Sequence, residues 1–144
     1  MNAPLPHHVL PRVELRPMPA AMLAALRQRF GDRCSTAAAV REQHGRGESV
    51  YDAAPPEAVV FCENNDDVVA VVALAHEHAV PVIPFGVGSS LEGHLLAVQG
   101  GVSVDLSRMT KILAINAEDL TVTVQAGVTR RRSRLVAGAT MGFR

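Results

Sequence analysis

The residues best suited to bind a ligand lie in one short segment, PFGVGSSLEGH, at residues 84–94. This segment contains three glycines and two serines and directly follows an apolar run. Because glycine loses more conformational freedom on folding than any other residue, such a cluster indicates a backbone that turns sharply or approaches another group closely. A loop of this kind can direct successive backbone N–H groups at one anion, typically a phosphate, and serine hydroxyls add donors. The segment therefore predicts a phosphate or pyrophosphate site, with a structural turn that binds nothing as the alternative.

The elements before this segment predict where the loop lies. The apolar, β-branched runs at 58–62 (AVVFC) and 80–85 (VPVIPF) predict two buried strands. Residues 64–79 begin with Asn and Asp, as helix N-termini do, and then repeat apolar residues at helical spacing. A strand, a helix and a strand with short joins form a βαβ unit, whose strands are parallel and whose crossover is right-handed. Ligands bind beyond the carboxyl ends of such strands, where the glycine-rich segment falls. The apolar residues at helical spacing are Val68, Val71, Val72 and Ala75.

Two helices are predicted before the βαβ unit. Residues 19–30 have a helical composition, with Pro19 in the first turn and a glycine directly after the last residue. Residues 35–45 predict a second, shorter helix, capped by Ser35 or Thr36.

Strand patterns return after the glycine-rich segment. Residues 102–106 (VSVDL) predict a third strand, and 111–116 with 120–126 predict a hairpin around the turn AED. In the second arm of this hairpin, apolar and polar residues alternate, as in a strand with one buried face. The apolar positions of that alternation are Leu120, Val122 and Val124.

The composition limits the class of protein. The chain has 144 residues, 48% of them hydrophobic, and a formal net charge of +0. These values argue against wholesale disorder and against a nucleic-acid or membrane-surface footprint spread over the chain. Cys34 and Cys62 lie in different segments without metal-ligand spacing, so we expect reduced thiols and a cytoplasmic protein. The sequence predicts neither a signal peptide nor an integral membrane segment.

The glycine spacing does not match the two common nucleotide motifs. Leu91 stands where the third glycine of the dinucleotide fingerprint GxGxxG would fall, and the loop follows the second strand instead of the first. The Gly-Lys-Ser/Thr ending of a P-loop is also missing. Spacing alone therefore leaves the phosphate ligand open.

Two longer segments carry a family resemblance, AVVFCENNDDVVAVVALAHEHAVPVIPFGVGSSLEGH and GGVSVDLSRMTKILAINAEDLTVTVQAGV. They resemble the N-terminal part of FAD-linked oxidases of the vanillyl-alcohol oxidase superfamily, which have a PCMH-type FAD-binding domain. Within it, the chain is most similar to D-lactate dehydrogenases (cytochrome) and the glycolate oxidase D subunit, from about Arg41 to Val128. The resemblance implies that the loop wraps the FAD pyrophosphate and that the QAGV segment lies near the adenosine half. The cofactor-binding residues it implies are Pro84, Phe85, Gly86, Val87, Gly88, Ser89, Ser90, Gly127 and Val128.

The resemblance also implies a fold and its divisions. The fold class is α+β, with a small βαβ-containing subdomain and the first hairpin of an incomplete antiparallel subdomain. We expect four parts: a helical arm (1–45), the first α/β subdomain (46–107), the start of the second subdomain (108–128) and an atypical tail (129–144). The family continues after this point with an amphipathic helix and a substrate domain. The tail TRRRSRLVAGATMGFR departs from that pattern, so we expect a truncated or out-of-frame sequence. Its apolar residues, Leu135, Val136, Met141 and Phe143, form no clear helical face.

The implied function is flavin-dependent oxidation of a 2-hydroxy acid, with hydride passing from the substrate α-carbon to FAD. Some relatives tether FAD through a His in the glycine loop; Ser89 stands at that position, which implies non-covalent FAD. We expect no catalytic residue and no metal site in this chain, and hence no turnover by the chain alone. A non-redox phosphate-binding module and an inactive gene remnant remain alternatives.

Other polar residues are weak candidates. His76 and His78 are two residues apart on a predicted helix, so they point to different faces and chelate one ion poorly. His94 with Glu92 is a possible ligand contact, and Asp105 is either structural or bonded to the cofactor region. The arginines of the tail indicate a solvated segment, since no aromatic residues accompany them.

Overall fold

The computed structural model describes residues 14–141, which contain four helices and six strands. The strands form a four-stranded sheet in the order β1-β2-β4-β3 and a separate two-stranded hairpin, β5-β6. The helices are α1 (Ala20–Phe30), α2 (Ala38–His44), α3 (Asn65–Glu77) and α4 (Arg130–Met141). The strands are β1 (Cys34–Ser35), β2 (Ala58–Phe61), β3 (Val82–Phe85), β4 (Val102–Asp105), β5 (Ile112–Asn116) and β6 (Thr121–Val124).

The larger sheet confirms the predicted parallel strands but places a third strand between them. Both β2 and β3 pair in parallel with β4, which is therefore central, and β1 pairs antiparallel with the other edge of β2. All four residues of β4 are buried, as in a strand covered on both faces. In β3 exposed and buried residues alternate, because it is an edge strand with one covered face. Pro84 is tolerated in β3 because the strand has a free edge.

Helices α1 and α3 cover one face of this sheet and form the main core with it. The buried side chains of α1 belong to the same cluster as those of β2 and β4, and β1 is a member of the sheet. Helix α1 and strand β1, both within the expected helical arm (1–45), thus pack as part of the α/β unit. The buried residues of this core include Met22, Leu26, Phe30, Ala58, Val60, Val71, Ala75, Val102 and Val104.

The helix ends follow local backbone chemistry, with one correction. Helix α1 follows Pro19, and α3 is capped by Asn64, whose Oδ1 accepts a hydrogen bond from the Asp67 N–H at 2.9 Å. The predicted cap of α2 by Ser35 or Thr36 is wrong. Ala37 occupies the N-cap and has no side chain that could cap the helix, while Ser35, in β1, accepts a 3.3 Å hydrogen bond from the Ala37 N–H.

The buried side of α3 is narrower than predicted. Asp67, Val71 and Ala75 are buried at a spacing of four residues, and Val68 is half-buried beside them. Val72, whose place in the apolar pattern predicted burial, is 45% exposed. Val72 directly follows Val71 and so lies about 100° around the helix from it, beside the covered stripe instead of on it.

The hairpin confirms the predicted pairing of β5 and β6. It is held to the α/β unit by its backbone, since Gly127 N–H donates to the Met109 carbonyl at 2.9 Å. Within the hairpin, Val122 and Val124 are half-buried as the alternation requires. Leu120 is not: it is 64% exposed and has φ +53° in the turn, so the strand begins one residue later than predicted.

The tail forms a helix where no helical face was expected. Helix α4 begins at Arg130 and contacts both strands of the hairpin. The arginines of its first turns are exposed, as predicted for a solvated segment. The side chains of Leu135, Val136 and Met141, and residue Phe143, lie outside the part that the structure describes. Within residues 14–141, no helix is both long and apolar enough to cross a membrane.

We expect Gly101→Ala to destabilise the α/β unit. Gly101 has φ +112°, and a Cβ atom there would lie 2.3 Å from the Pro81 carbonyl oxygen at the start of β3. Strain and the backbone clash together should lower the free energy of unfolding by at least about 2 kcal/mol. Urea unfolding followed by circular dichroism measures the effect. Gly86→Ala is the control, because Gly86 has open space around its Cβ position; equal stability of the two variants would contradict the packing described here.

We expect acid to weaken the contact between α3 and the turn after α1. Burial raises the pKa of Asp67, but hydrogen bonds from Arg33 and from the Glu63 N–H outweigh it, so the pKa lies below its ordinary value of 3.8. The carboxylate therefore stabilises the fold above the unfolded-state pKa, and this stabilisation is lost as pH falls through the folded-state pKa.

Asp67→Asn should accordingly lower the free energy of unfolding by about 2 kcal/mol at pH 7 and by less at pH 2.5. Urea titrations at several pH values give the comparison. Asp66→Asn, an exposed neighbour in the same helical turn, serves as the control and should keep the wild-type pH dependence. A loss in Asp67→Asn that is the same at both pH values would refute the role of the Asp67 charge.

Candidate cofactor-binding site

The glycine-rich loop lines an open groove at the carboxyl end of β3. The groove has a volume of about 300 Å³ and begins directly where the strand ends at Phe85. Seven of the nine residues predicted to bind the cofactor, Pro84 through Ser90, line it together. Leu106, which follows the central strand β4, forms part of the opposite wall. His94 and Leu95 complete the lining.

The backbone of the loop is available to a ligand. Among residues 14–141, none of the five N–H groups from Gly86 to Ser90 donates to a protein acceptor. The residues that carry them are exposed or half-exposed. Backbone donors normally find partners in a folded protein, with water or ligand serving where protein does not. Five consecutive free donors suit an anion with many acceptor oxygens, such as a pyrophosphate.

Gly88 is required by both conformation and space. Its φ is +74°, a region that residues with side chains rarely adopt, and a Cβ atom would lie 3.0 Å from Cζ of Phe85. Gly86 differs, because no atom lies within 4 Å of its Cβ position. The loop thus packs closely on the Phe85 ring at Gly88 and leaves open space at Gly86.

A buried His–Asp pair lies against the Phe85 ring. His44, the last residue of α2, and Asp105, the last residue of β4, are 2% and 3% exposed, with 2.8 Å between Nε2 and Oδ2. The imidazole centroid is 4.1 Å from that of Phe85, with the ring planes inclined by 39°. His44 Nδ1 lies 2.8 Å from the Val40 carbonyl oxygen, which can only accept a hydrogen bond. Nδ1 therefore donates to Val40, and Nε2 is the ring nitrogen that pairs with Asp105.

Asp105 has the environment of an ionised carboxylate. Burial alone would raise its pKa, but hydrogen bonds with His44 and with the Ser107 N–H, at 2.7 Å, outweigh burial and hold the pKa below the ordinary value. The sequence left the role of Asp105 open between structure and cofactor contact. Its carboxylate bonds to protein groups and does not line the groove, so its contact with the loop is indirect.

Sequence reasoning missed His44. A single His at the end of a short helix has no partner within reach along the chain, and Asp105 lies 61 residues away. They meet because α2 packs against the sheet beside β2, which brings its last residue to the end of β4. The sole signal was a polar residue, Asp105, in a strand that is otherwise apolar or small.

The remaining polar candidates lie in two places, beside the glycine-rich loop and at the end of α3. His94 lines the groove, and its Nδ1 lies 3.2 Å from Ser90 Oγ, which also accepts a 3.4 Å hydrogen bond from the Glu92 N–H. His76 and His78 lie at the far end of α3. In the part of the chain that the structure describes, no group of three or more His, Cys, Asp and Glu residues is arranged to hold a metal ion.

Neither Gly127 nor Val128 lines the groove, and Gly127 adjoins it through Leu106. A Cβ atom on Gly127 would lie 2.2 Å from the carbonyl oxygen of Leu106, the residue that walls the groove. This glycine therefore allows the backbone after the hairpin to pack directly on the end of β4. The contact of Gly127 and Val128 with an adenosine group stays a prediction.

These features fit a dinucleotide cofactor such as FAD. Free N–H groups would bind the pyrophosphate, and the space beside Gly86 allows close approach of its oxygens. The site contains no lysine or arginine among its lining residues, so the backbone supplies the donors.

Comparison with known proteins supports this assignment. A family model described as an FAD-binding domain matches residues 56–134, which include the whole loop and the first five residues of α4. A probable mitochondrial D-lactate dehydrogenase of Danio rerio is 43% identical over 111 residues, covering 76% of this chain and 22% of that protein. Glycolate oxidase subunit GlcD of Bacillus subtilis is 38% identical over 89 residues, covering 58% and 19% respectively. The chain thus spans about a fifth of the length of these curated relatives.

The fold is also shared with solved flavoenzymes. A crystal structure of p-cresol methylhydroxylase with substrate bound superposes with a TM-score of 0.74, at 24% identity, over 83% of this chain and 24% of that one. This similarity confirms the predicted fold class, and the sequence matches confirm the predicted resemblance. The chain therefore belongs to the FAD-binding domain family, and its described part has the PCMH-type FAD-binding fold.

Proposed function

We propose that this chain is the FAD-binding part of a flavin-dependent oxidoreductase that acts on a 2-hydroxy acid of the D-lactate or glycolate type. The observation that carries the proposal is the row of five free N–H groups at the carboxyl end of β3, inside the segment that matches the family. The names of the relatives support the substrate class, since they are a D-lactate dehydrogenase and a glycolate oxidase subunit.

Each part of the loop has a role in this proposal. The N–H groups of Gly86 to Ser90 bind the pyrophosphate, and the Ser90 hydroxyl adds a donor from the same groove. The Phe85 ring supports the loop from below at Gly88. The position of Ser89 favours non-covalent binding, because a serine hydroxyl is a poor nucleophile without a neighbouring base.

The chemistry separates into cofactor and protein contributions. Bound FAD would supply the acceptor for the hydride that leaves the α-carbon of the substrate. The residues described here hold and orient the dinucleotide, and no proton transfer is assigned to them. These residues therefore contribute to the reaction rate by binding the cofactor tightly and by holding it in position.

We expect Gly88→Val to weaken FAD binding to the chain at least about 100-fold, equivalent to about 2.7 kcal/mol. The branched side chain would meet the Phe85 ring and oppose the positive φ, so the N–H groups that adjoin Gly88 would change direction. Quenching of flavin fluorescence on titration gives the dissociation constant.

Gly31→Val is the matched control for this experiment. Gly31 also has a positive φ, +53°, but it lies at the end of α1 and has no atom near its Cβ position. The control should lose stability and keep FAD affinity. Unchanged FAD affinity in Gly88→Val would remove the loop from the site. Equal affinity of the wild-type chain for FAD and for inorganic pyrophosphate would instead favour a general phosphate-binding module.

The substrate class is tested in a chimera of the Danio rerio relative that takes its 111 matched residues from this chain. We expect the chimera to retain FAD and to oxidise D-lactate with an artificial electron acceptor, because the transferred segment supplies only cofactor contacts. Gly88→Val in the chimera should release FAD and abolish the activity. A chimera that folds but contains no flavin would contradict the proposal.

A further inference from the structure

We propose that His44 is a positioning residue for the FAD loop: it holds the Phe85 ring beneath Gly88 and so sets the pyrophosphate affinity of the Gly86–Ser90 backbone. This inference rests on the proposed function. It assigns a role to a buried histidine that does not line the groove and that the proposed cofactor contacts do not use.

The contacts form a continuous stack from the helix to the loop. The imidazole of His44 lies against the Phe85 ring, with 4.1 Å between centroids. On the loop side, the Cβ direction of Gly88 points at the same ring, which is 3.0 Å away at Cζ. A shift of the Phe85 ring therefore changes the space available to Gly88, whose backbone is constrained.

His44 itself is fixed from three directions. Nδ1 donates to the Val40 carbonyl within α2, Nε2 lies 2.8 Å from Asp105 Oδ2 on β4, and the ring meets the edge of Phe61 at 5.8 Å between centroids. A side chain held by two hydrogen bonds and two rings has little rotamer freedom. It is thus suited to fixing a neighbouring ring, as a supporting shell does for ligand-binding groups.

The consequence for the loop follows from Gly88. Glycine adopts φ values on both sides of zero with similar ease, so its own preference does not fix +74°. Packing on Phe85 selects that conformation, and with it the directions of the adjoining N–H groups. Removing His44 lets the ring move, and the loop then has to be ordered at the moment of binding, which lowers affinity.

The variants separate ring geometry from charge. His44→Gln keeps an amide donor for Asp105 but removes the ring, and His44→Ala removes both. Asp105→Asn keeps the geometry with a neutral pair: Nδ2 donates to an unprotonated Nε2, and Oδ1 still accepts from the Ser107 N–H. Phe85→Leu removes the supported ring without touching the pair. Val71→Ala is the control for stability loss, since it removes buried methyl groups from α3, away from the loop.

Two measurements on the full chain test the inference. The first is the NMR shift of the Gly88 α-hydrogens without ligand, which the Phe85 ring displaces from the random-coil position in the wild type. The second is the dissociation constant for FAD and for ADP. We expect both His44 variants and Phe85→Leu to lose the displaced shift and to bind both ligands about tenfold or more weakly. Asp105→Asn and Val71→Ala should retain the shift and the affinity.

The outcomes distinguish this inference from the proposed function. A wild-type chain that does not bind FAD would overturn the proposed function and, with it, the role in affinity. Wild-type binding with unchanged affinity in His44→Gln, or in Phe85→Leu if the His44 variants do not fold, would overturn only the positioning role. Folded Asp105→Asn that loses both shift and affinity would also overturn it, since charge instead of ring geometry would then control the loop.

Discussion

The register of the central strand is the constraint on which the site depends. Asp105, the last residue of β4, pairs with Phe61 on one side and with Phe85 on the other. The three strands therefore end in one row, and His44 contacts all three members of that row. Shifting either strand pair by one residue would turn its side chains to the opposite face and separate the His44 contacts. The position of the loop after Phe85 is thus a consequence of strand pairing.

The buried pair at this row is better understood as a source of geometric precision than of stability. Taking the Asp105 carboxylate out of water costs several kcal/mol, and its partner offsets that cost only with good geometry and further hydrogen bonds. The Val40 carbonyl and the Ser107 N–H supply those bonds. An apolar pair of similar size would pack against the aromatic rings without them, but it would define the position of Phe85 less strictly. The benefit of the polar contacts of His44 and Asp105 is therefore a more closely defined position of Phe85.

The sequence was sufficient for the local elements and for the loop. Strand and helix periods predicted β2, α3, β3 and the hairpin, and the glycine and serine cluster predicted the ligand loop, because these signals lie within a few consecutive residues. The strand order was not predictable, since the pattern of β4 does not say which strands flank it. His44 was missed for the same reason: its partner is far along the chain. The errors at Val72 and Leu120 arose because a regular apolar spacing extended beyond the covered surface. Val72 lies beside the buried stripe of α3, and Leu120 lies in the turn before β6.

The position of Pro84 bears on how copies of this protein behave in solution. Pro81 and Phe85 direct their carbonyl groups at β4, so the backbone groups of Pro84, between them in the alternation, face the free edge of the sheet. At that edge Pro84 offers no N–H group, because its ring nitrogen has no hydrogen. A strand from a second molecule therefore finds the row of donors interrupted directly before the ligand loop. Pairing of this edge with a strand of a second molecule is thereby disfavoured directly beside the ligand loop.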